Sequence, residues 1–125
     1  MQDISGIPKA GQQLINSYGD GGFRVSGIKH EGSVLVFPGK TVSWPVMSID
    51  QLSVQSLGGV TSVDIDVEIL LVGCGGDMAF IDDDIRVSLK EHGVVIEAMD
   101  TGAAVRTYNV LLLEGRRVAA ALIAV

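Results

Sequence analysis

Cys74 is the one cysteine of the chain and stands between Gly73 and Gly75, directly after the aliphatic run Ile69-Leu70-Leu71-Val72. A thiol at the start of a helix can have a lowered pKa and act as a nucleophile, but no histidine lies nearby in sequence to serve as its base. Buried small hydrophobe is the competing reading of the same residue. A second group, Asp100-Thr101-Gly102 followed by Arg106, offers a different chemistry. Helix amides, a hydroxyl and a guanidinium together can hold a carboxylate, a phosphate or an acidic side chain. The competing reading makes Asp100 or Thr101 a helix cap and Arg106 a partner of Asp100.

Other spacings fail their motifs. Gly39-Lys40-Thr41 resembles the end of a phosphate-binding loop, but that motif needs glycine where the chain has Val34, and a helix directly afterwards. Gly73 and Gly75 supply two glycines of a dinucleotide fingerprint, while Met78 occupies the third position. His30 and His92 have no partner at metal-ligand spacing, and Asp82-Asp83-Asp84 lacks the calcium-loop pattern and reads as a solvated helix start. No metal or other cofactor is implied.

The elements that must position these residues follow from hydrophobic pattern. Four aliphatic residues without polar alternation predict a strand buried on both faces, in the middle of a sheet covered by helices on each side. Alternation from Val63 predicts that this strand begins at a solvated rim. Ile81, Ile85 and Leu89 mark the buried side of a following helix that Gly93 ends, and 94–99 reads as a second strand. A second helix from Asp100 or Thr101 buries Ala104, Tyr108, Leu111 and Leu112 and ends at Gly115; 118–125 is the last strand. If the strands ending at Val72 and Met99 are parallel neighbours, then Gly73, Cys74 and Gly75 meet Asp100, Thr101, Gly102 and Arg106 in one crevice at the sheet's edge.

Upstream, residues 1–13 lack periodicity and read as a loosely held lead-in. Strands are expected at 14–18, 23–26 and 33–37, with a turn near His30-Glu31-Gly32 and a short strand containing Val42 and Trp44. The N-terminal third is therefore a β-meander. Ser48-Ile49-Asp50-Gln51 matches a capping box opening a short helix toward Leu57.

Composition narrows the class. The chain has 125 residues, 47% apolar and 19% charged, enough for one self-sufficient domain spanning 1–125. A net charge of −6, with Arg116-Arg117 as the one basic pair, disfavours nucleic acid as a partner. No apolar run approaches the length of a membrane span, no secretory signal is apparent, and one cysteine suits the cytoplasm. Exposed β edges would permit oligomers.

Several segments carry a family signature: 68–73, the Met99-Asp100-Thr101-Gly102-Ala103-Ala104 turn, 106–112 and 114–122, with Tyr18-Gly19, Gly22-Phe23, 31–36 and Trp44 upstream. They resemble the Mth-type domain-of-unknown-function family, which includes the mitochondrial complex I assembly factor 3 and the adipogenesis-associated Mth-type domain protein. The resemblance implies a three-layer α/β domain with a mixed central sheet flanked by helices, its final strand antiparallel to most others. It implies no established enzyme activity: the mitochondrial relative acts in assembling a membrane complex, and bacterial relatives are associated with protein-export genes. Many relatives carry a small hydroxyl residue in place of Cys74, and some carry cysteine in place of Val105, which weakens a catalytic role for the thiol. The expected function is a non-enzymatic module that binds a protein partner through the rim of the crevice. A small-anion-binding protein or an enzyme using that crevice is the alternative.

Overall fold

A computed structural model describes residues 10–62 and 65–125. Two sheets form. The smaller is the antiparallel meander β1 (Ile15–Gly19), β2 (Gly22–Val25) and β3 (Ile28–Glu31), in that order. The larger has the order β5-β4-β8-β6-β7, built from β4 (Val34–Phe37), β5 (Lys40–Ser43), β6 (Ile69–Gly73), β7 (Val95–Met99) and β8 (Val118–Leu122). Strands β6, β7 and β8 are mutually parallel, and β4 runs against β8.

Two helices close the layers, α1 (Asp83–Glu91) between β6 and β7, and α2 (Thr101–Leu113) between β7 and β8. The first connection moves outward by one strand and the second moves back across β6, so crossovers of one hand, as parallel sheets favour, place the helices on opposite faces. The two cores follow this division. Leu70, Val72, Ala119 and Ala121 meet Ile85 and Leu89 of α1 together with Trp44, Leu57 and Val60. Leu71, Val118, Ala120 and Leu122 meet Ala104, Tyr108 and Leu112 of α2, with Ile15, Phe23 and Val25 of the meander. The result is the expected three-layer domain with a mixed central sheet.

Both helices end as their glycines predict. Gly93, at φ +81°, donates to Lys90 and the next amide, Val94, reaches back to Leu89, a pairing that satisfies carbonyls the helix would otherwise leave free. Gly115 and Arg116 repeat it on Leu112 and Leu111.

Four expectations need correction here. The strand running against its neighbour is β4, while the final strand is parallel to β6. His30 and Glu31 lie in a strand, because Ile28 to Glu31 pairs residue for residue with β2. The central strand starts at Ile69: before it, Val67 is buried and Asp66 is exposed, and Glu68 donates its amide to Arg117 and accepts from Val95 without itself belonging to the strand. Those carboxylates hold the basic pair instead, with Arg117 Nη1 2.6 Å from Asp66 and Arg116 Nε 3.5 Å from Glu68. The reciprocal cap forms at Ser53 and Ser56, each amide donating 3.0 Å to the other's hydroxyl, whereas Ser48 donates to Asp50 and Gln51 accepts from Met47. Two short 3-10 turns, at Ile49–Gln51 and Gln55–Leu57, replace the expected helix. Most of the expected lead-in and Val63-Asp64 lie outside the described residues; within them, Gln13 is fastened through its amide to Pro38 and through its carbonyl to the Tyr108 hydroxyl.

Leu112 is buried against the meander core, while Leu111 is half-exposed. Leu112→Ala should cost about 2–5 kcal/mol and Leu111→Ala less than half as much. Urea denaturation of the two variants checks this, and equal losses would mean that α2 presents a different face.

Candidate functional site

The end of β6 and the start of α2 meet as the parallel pairing requires, and they meet closely. Cys74 donates its amide to Met99 at 2.8 Å, and Thr101 donates its own to Gly75 at 2.9 Å. The Thr101 hydroxyl accepts from the Gly75 amide at 3.0 Å and donates to the Ile123 carbonyl at 2.7 Å. Ile123 in turn donates to Gly73. Thr101 is 0% exposed. The point where the chain reverses direction across the sheet, often an open ligand cleft in α/β proteins, is here sewn shut by its own hydrogen bonds.

Gly73 explains itself in this joint. A Cβ there would stand 3.0 Å from the Thr101 Cα, the Thr101 hydroxyl and a Leu122 methyl, so the residue is small because helix, strand and turn converge on it. Gly75, at φ +98°, makes the turn that a larger side chain would strain. Cys74 is buried, its Sγ 3.7 Å from the Val72 carbonyl and 4.0 Å from that of Ala79. Asp100 caps α2 by accepting from the Ala103 amide at 2.8 Å.

Arg106 is placed differently. It is exposed on α2 and forms no ion pair or hydrogen bond with any described residue, Asp100 included. Its Nη1 lies 3.4 Å from where a Cβ on Gly102 would stand, and the Tyr18 hydroxyl lies 2.5 Å from the same point. A guanidinium without a partner among the described residues and a phenol, 42% exposed, therefore converge over a buried glycine. Tyr18 was not legible as part of this rim, since it reaches it from β1, more than eighty residues away in sequence. On the same meander, Tyr18 also borders a hollow of about 340 Å³ lined by Asp20, Phe23, Arg24 and Lys29.

For a bound anion the Thr101 hydroxyl has nothing to offer, because its proton is committed to Ile123. Among the described residues, no three His, Cys, Asp or Glu side chains are grouped so that they could hold a metal ion. No helix among them is long and apolar enough to cross a membrane.

Fold and joint define a class: a three-layer α/β domain whose sheet-edge crevice is closed and whose exposed chemistry lies on the rim. Residues 15–123 match the family model described as "Protein of unknown function (DUF498/DUF598)", and the chain belongs to that family of Mth938-like domains. An uncharacterised protein of Rhodobacter capsulatus is 40% identical, over 91% of this chain and 86% of its own length. The Xenopus tropicalis protein named NADH dehydrogenase [ubiquinone] 1 alpha subcomplex assembly factor 3 is 35% identical over 88% of this chain. This chain spans 60% of that protein's length. Among solved structures, a Bartonella henselae protein described as an outer membrane protein superposes with a TM-score of 0.84 at 36% identity, covering 91% of this chain and 96% of that one.

Thr101→Val keeps the shape but leaves the Gly75 amide and the Ile123 carbonyl without partners, and should cost about 2–4 kcal/mol. Thr101→Ser should lose well under half of that. Chemical denaturation separates the two, and a tolerated valine would show that the joint is not held by the hydroxyl.

Proposed function

We propose that this chain is a cytoplasmic, non-enzymatic protein-binding module that helps assemble a respiratory NADH dehydrogenase. Its partner is contacted through the rim formed by Gly75, Asp100, Gly102 and Arg106. Gly73, Cys74 and Thr101 serve that rim from beneath by fixing its shape. The observation that carries the reading is Arg106, without an ion pair or hydrogen bond among the described residues, beside the exposed ring of Tyr18 above the closed joint. Arginine and tyrosine are the residue types that dominate binding energy when a partner buries them. The similarity to proteins named as complex I assembly factors supports the direction of the assignment.

Affinity capture from the native host, with the tagged full chain as bait, tests it. Wild type should recover subunits of the NADH dehydrogenase, and Arg106→Gln or Tyr18→Ala should reduce that recovery about ten-fold or more while melting at the wild-type temperature. Recovery that is indifferent to both substitutions would remove the rim from the function.

A further inference from the structure

Phe80 is 91% exposed, and nothing in the closed joint explains why an aromatic side chain should stand in water. It belongs to the loop between β6 and α1, which also carries Met78, 61% exposed. Beside it lies a hollow of about 180 Å³, lined by Phe80, Ile81 and Ile85 on one side and Ile49, Asp50 and Leu52 on the other. Met47, also 61% exposed, precedes that second wall by two residues. The hollow also has Asp50 and Asp82 in its lining, so the apolar contact this face offers a partner is the exposed Phe80 beside it. Exposed apolar surface of this kind, rimmed by charge, marks interaction sites.

The charge identifies the occupant. Lys40 and Arg86 bracket a stretch, 41–85, that contains no lysine, arginine or histidine, and every wall of the hollow comes from it. Asp77, Asp82, Asp83 and Asp84 are exposed around Phe80 in sequence, and none of them forms an ion pair among the described residues. Asp50 lies in the wall itself. Arg86, the nearest cation in sequence, has its guanidinium turned to the Ile96 carbonyl at 2.8 Å. The surface thus sets exposed apolar side chains, Phe80 above all, among charges of one sign. An anionic membrane would be repelled. A protein segment with apolar residues on one face and lysine or arginine flanking them is complementary in both respects.

We infer that the face formed by the Met78–Phe80 loop, the start of α1 and the 3-10 turn at Ile49–Gln51 docks a basic amphipathic segment of a partner protein, with Phe80 as its anchor. This surface lies on the α1 side of the sheet, whereas Arg106 and Tyr18 stand on the α2 side, so the two are tested by different variants.

A synthetic amphipathic helix of about 18 residues, leucine on one face and lysine on the other, serves as probe, with a leucine–glutamate peptide of the same pattern as its control. In fluorescence anisotropy with the full chain, the basic peptide should bind saturably at one site and the acidic peptide should not bind. Phe80→Ser should weaken binding about ten-fold or more, and folding does not confuse that result because the side chain is already in water. Asp82→Asn, Asp83→Asn and Asp84→Asn combined should weaken it and flatten its dependence on salt. Glu91→Gln, Glu97→Gln and Glu114→Gln combined remove the same formal charge elsewhere and should change little, as should Arg106→Gln. Equal weakening by both charge-removal sets would reduce the effect to net charge and overturn the inference, and so would wild-type affinity in Phe80→Ser.

Discussion

One hydroxyl group fixes the relative positions of three segments that leave the sheet at the same edge. Thr101 accepts from the turn after β6 and donates to the chain beyond β8, while its amide holds the same turn from the other side. A buried polar group is costly unless every partner is in place, so a fully satisfied one tolerates a single arrangement of its neighbours. Everything carried by α2 inherits that arrangement. Tyr108 reaches from the helix to the carbonyls of Gln13 and Phe37, at 2.9 and 3.3 Å, and Asn109 both accepts from and donates to the backbone of Ile15. The meander is attached to the central sheet through these contacts, and burial pushes the Tyr108 hydroxyl well above the ordinary phenol range, which keeps it a donor.

Closing the joint moves the exposed chemistry outward. The interior edge, where an α/β protein commonly receives a ligand, is occupied by the chain's own donors and acceptors. Among the described residues, groups without an ion pair stand on two outer faces: a guanidinium and a phenol on the α2 layer, and carboxylates around apolar side chains on the α1 layer. Two such faces on opposite layers suit a body that holds separate contact surfaces in fixed relation, and the Thr101 network helps to fix that relation.

The C-terminal half was legible because its signals are local. Unbroken aliphatic runs, apolar positions spaced by four and a glycine after each helix specify β6, α1, β7, α2 and β8 without reference to anything distant. The meeting of Gly73–Gly75 with Asp100–Gly102 followed from parallel pairing alone. What was hidden depends on chain returning from far away. Strand β3 carries Lys29, His30 and Glu31, and its partner β2 rather than its own composition makes it a strand. The closure of the crevice requires Ile123, just beyond the carboxyl end of the final strand, whose carbonyl completes the Thr101 network. Tyr18 enters the rim through the docking of the meander, a tertiary event. Phe80 was hidden for the opposite reason, since an aromatic next to Ile81 reads as core.

The turn after β6 shows why a glycine pair following a buried strand does not by itself indicate a ligand. Two uses of such glycines have the same sequence signature. In one, the missing side chain lets a phosphate approach the backbone. In the other, it lets the protein approach itself, and Gly73 is of this second kind, since a helix backbone, a hydroxyl and a leucine methyl occupy the surroundings of its absent Cβ. The deciding residue lies outside the glycine motif, at the first position of a helix in the next crossover. A threonine there that turns its hydroxyl toward the glycine amide competes for the donor that an anion would need, and in doing so converts a binding turn into a structural one.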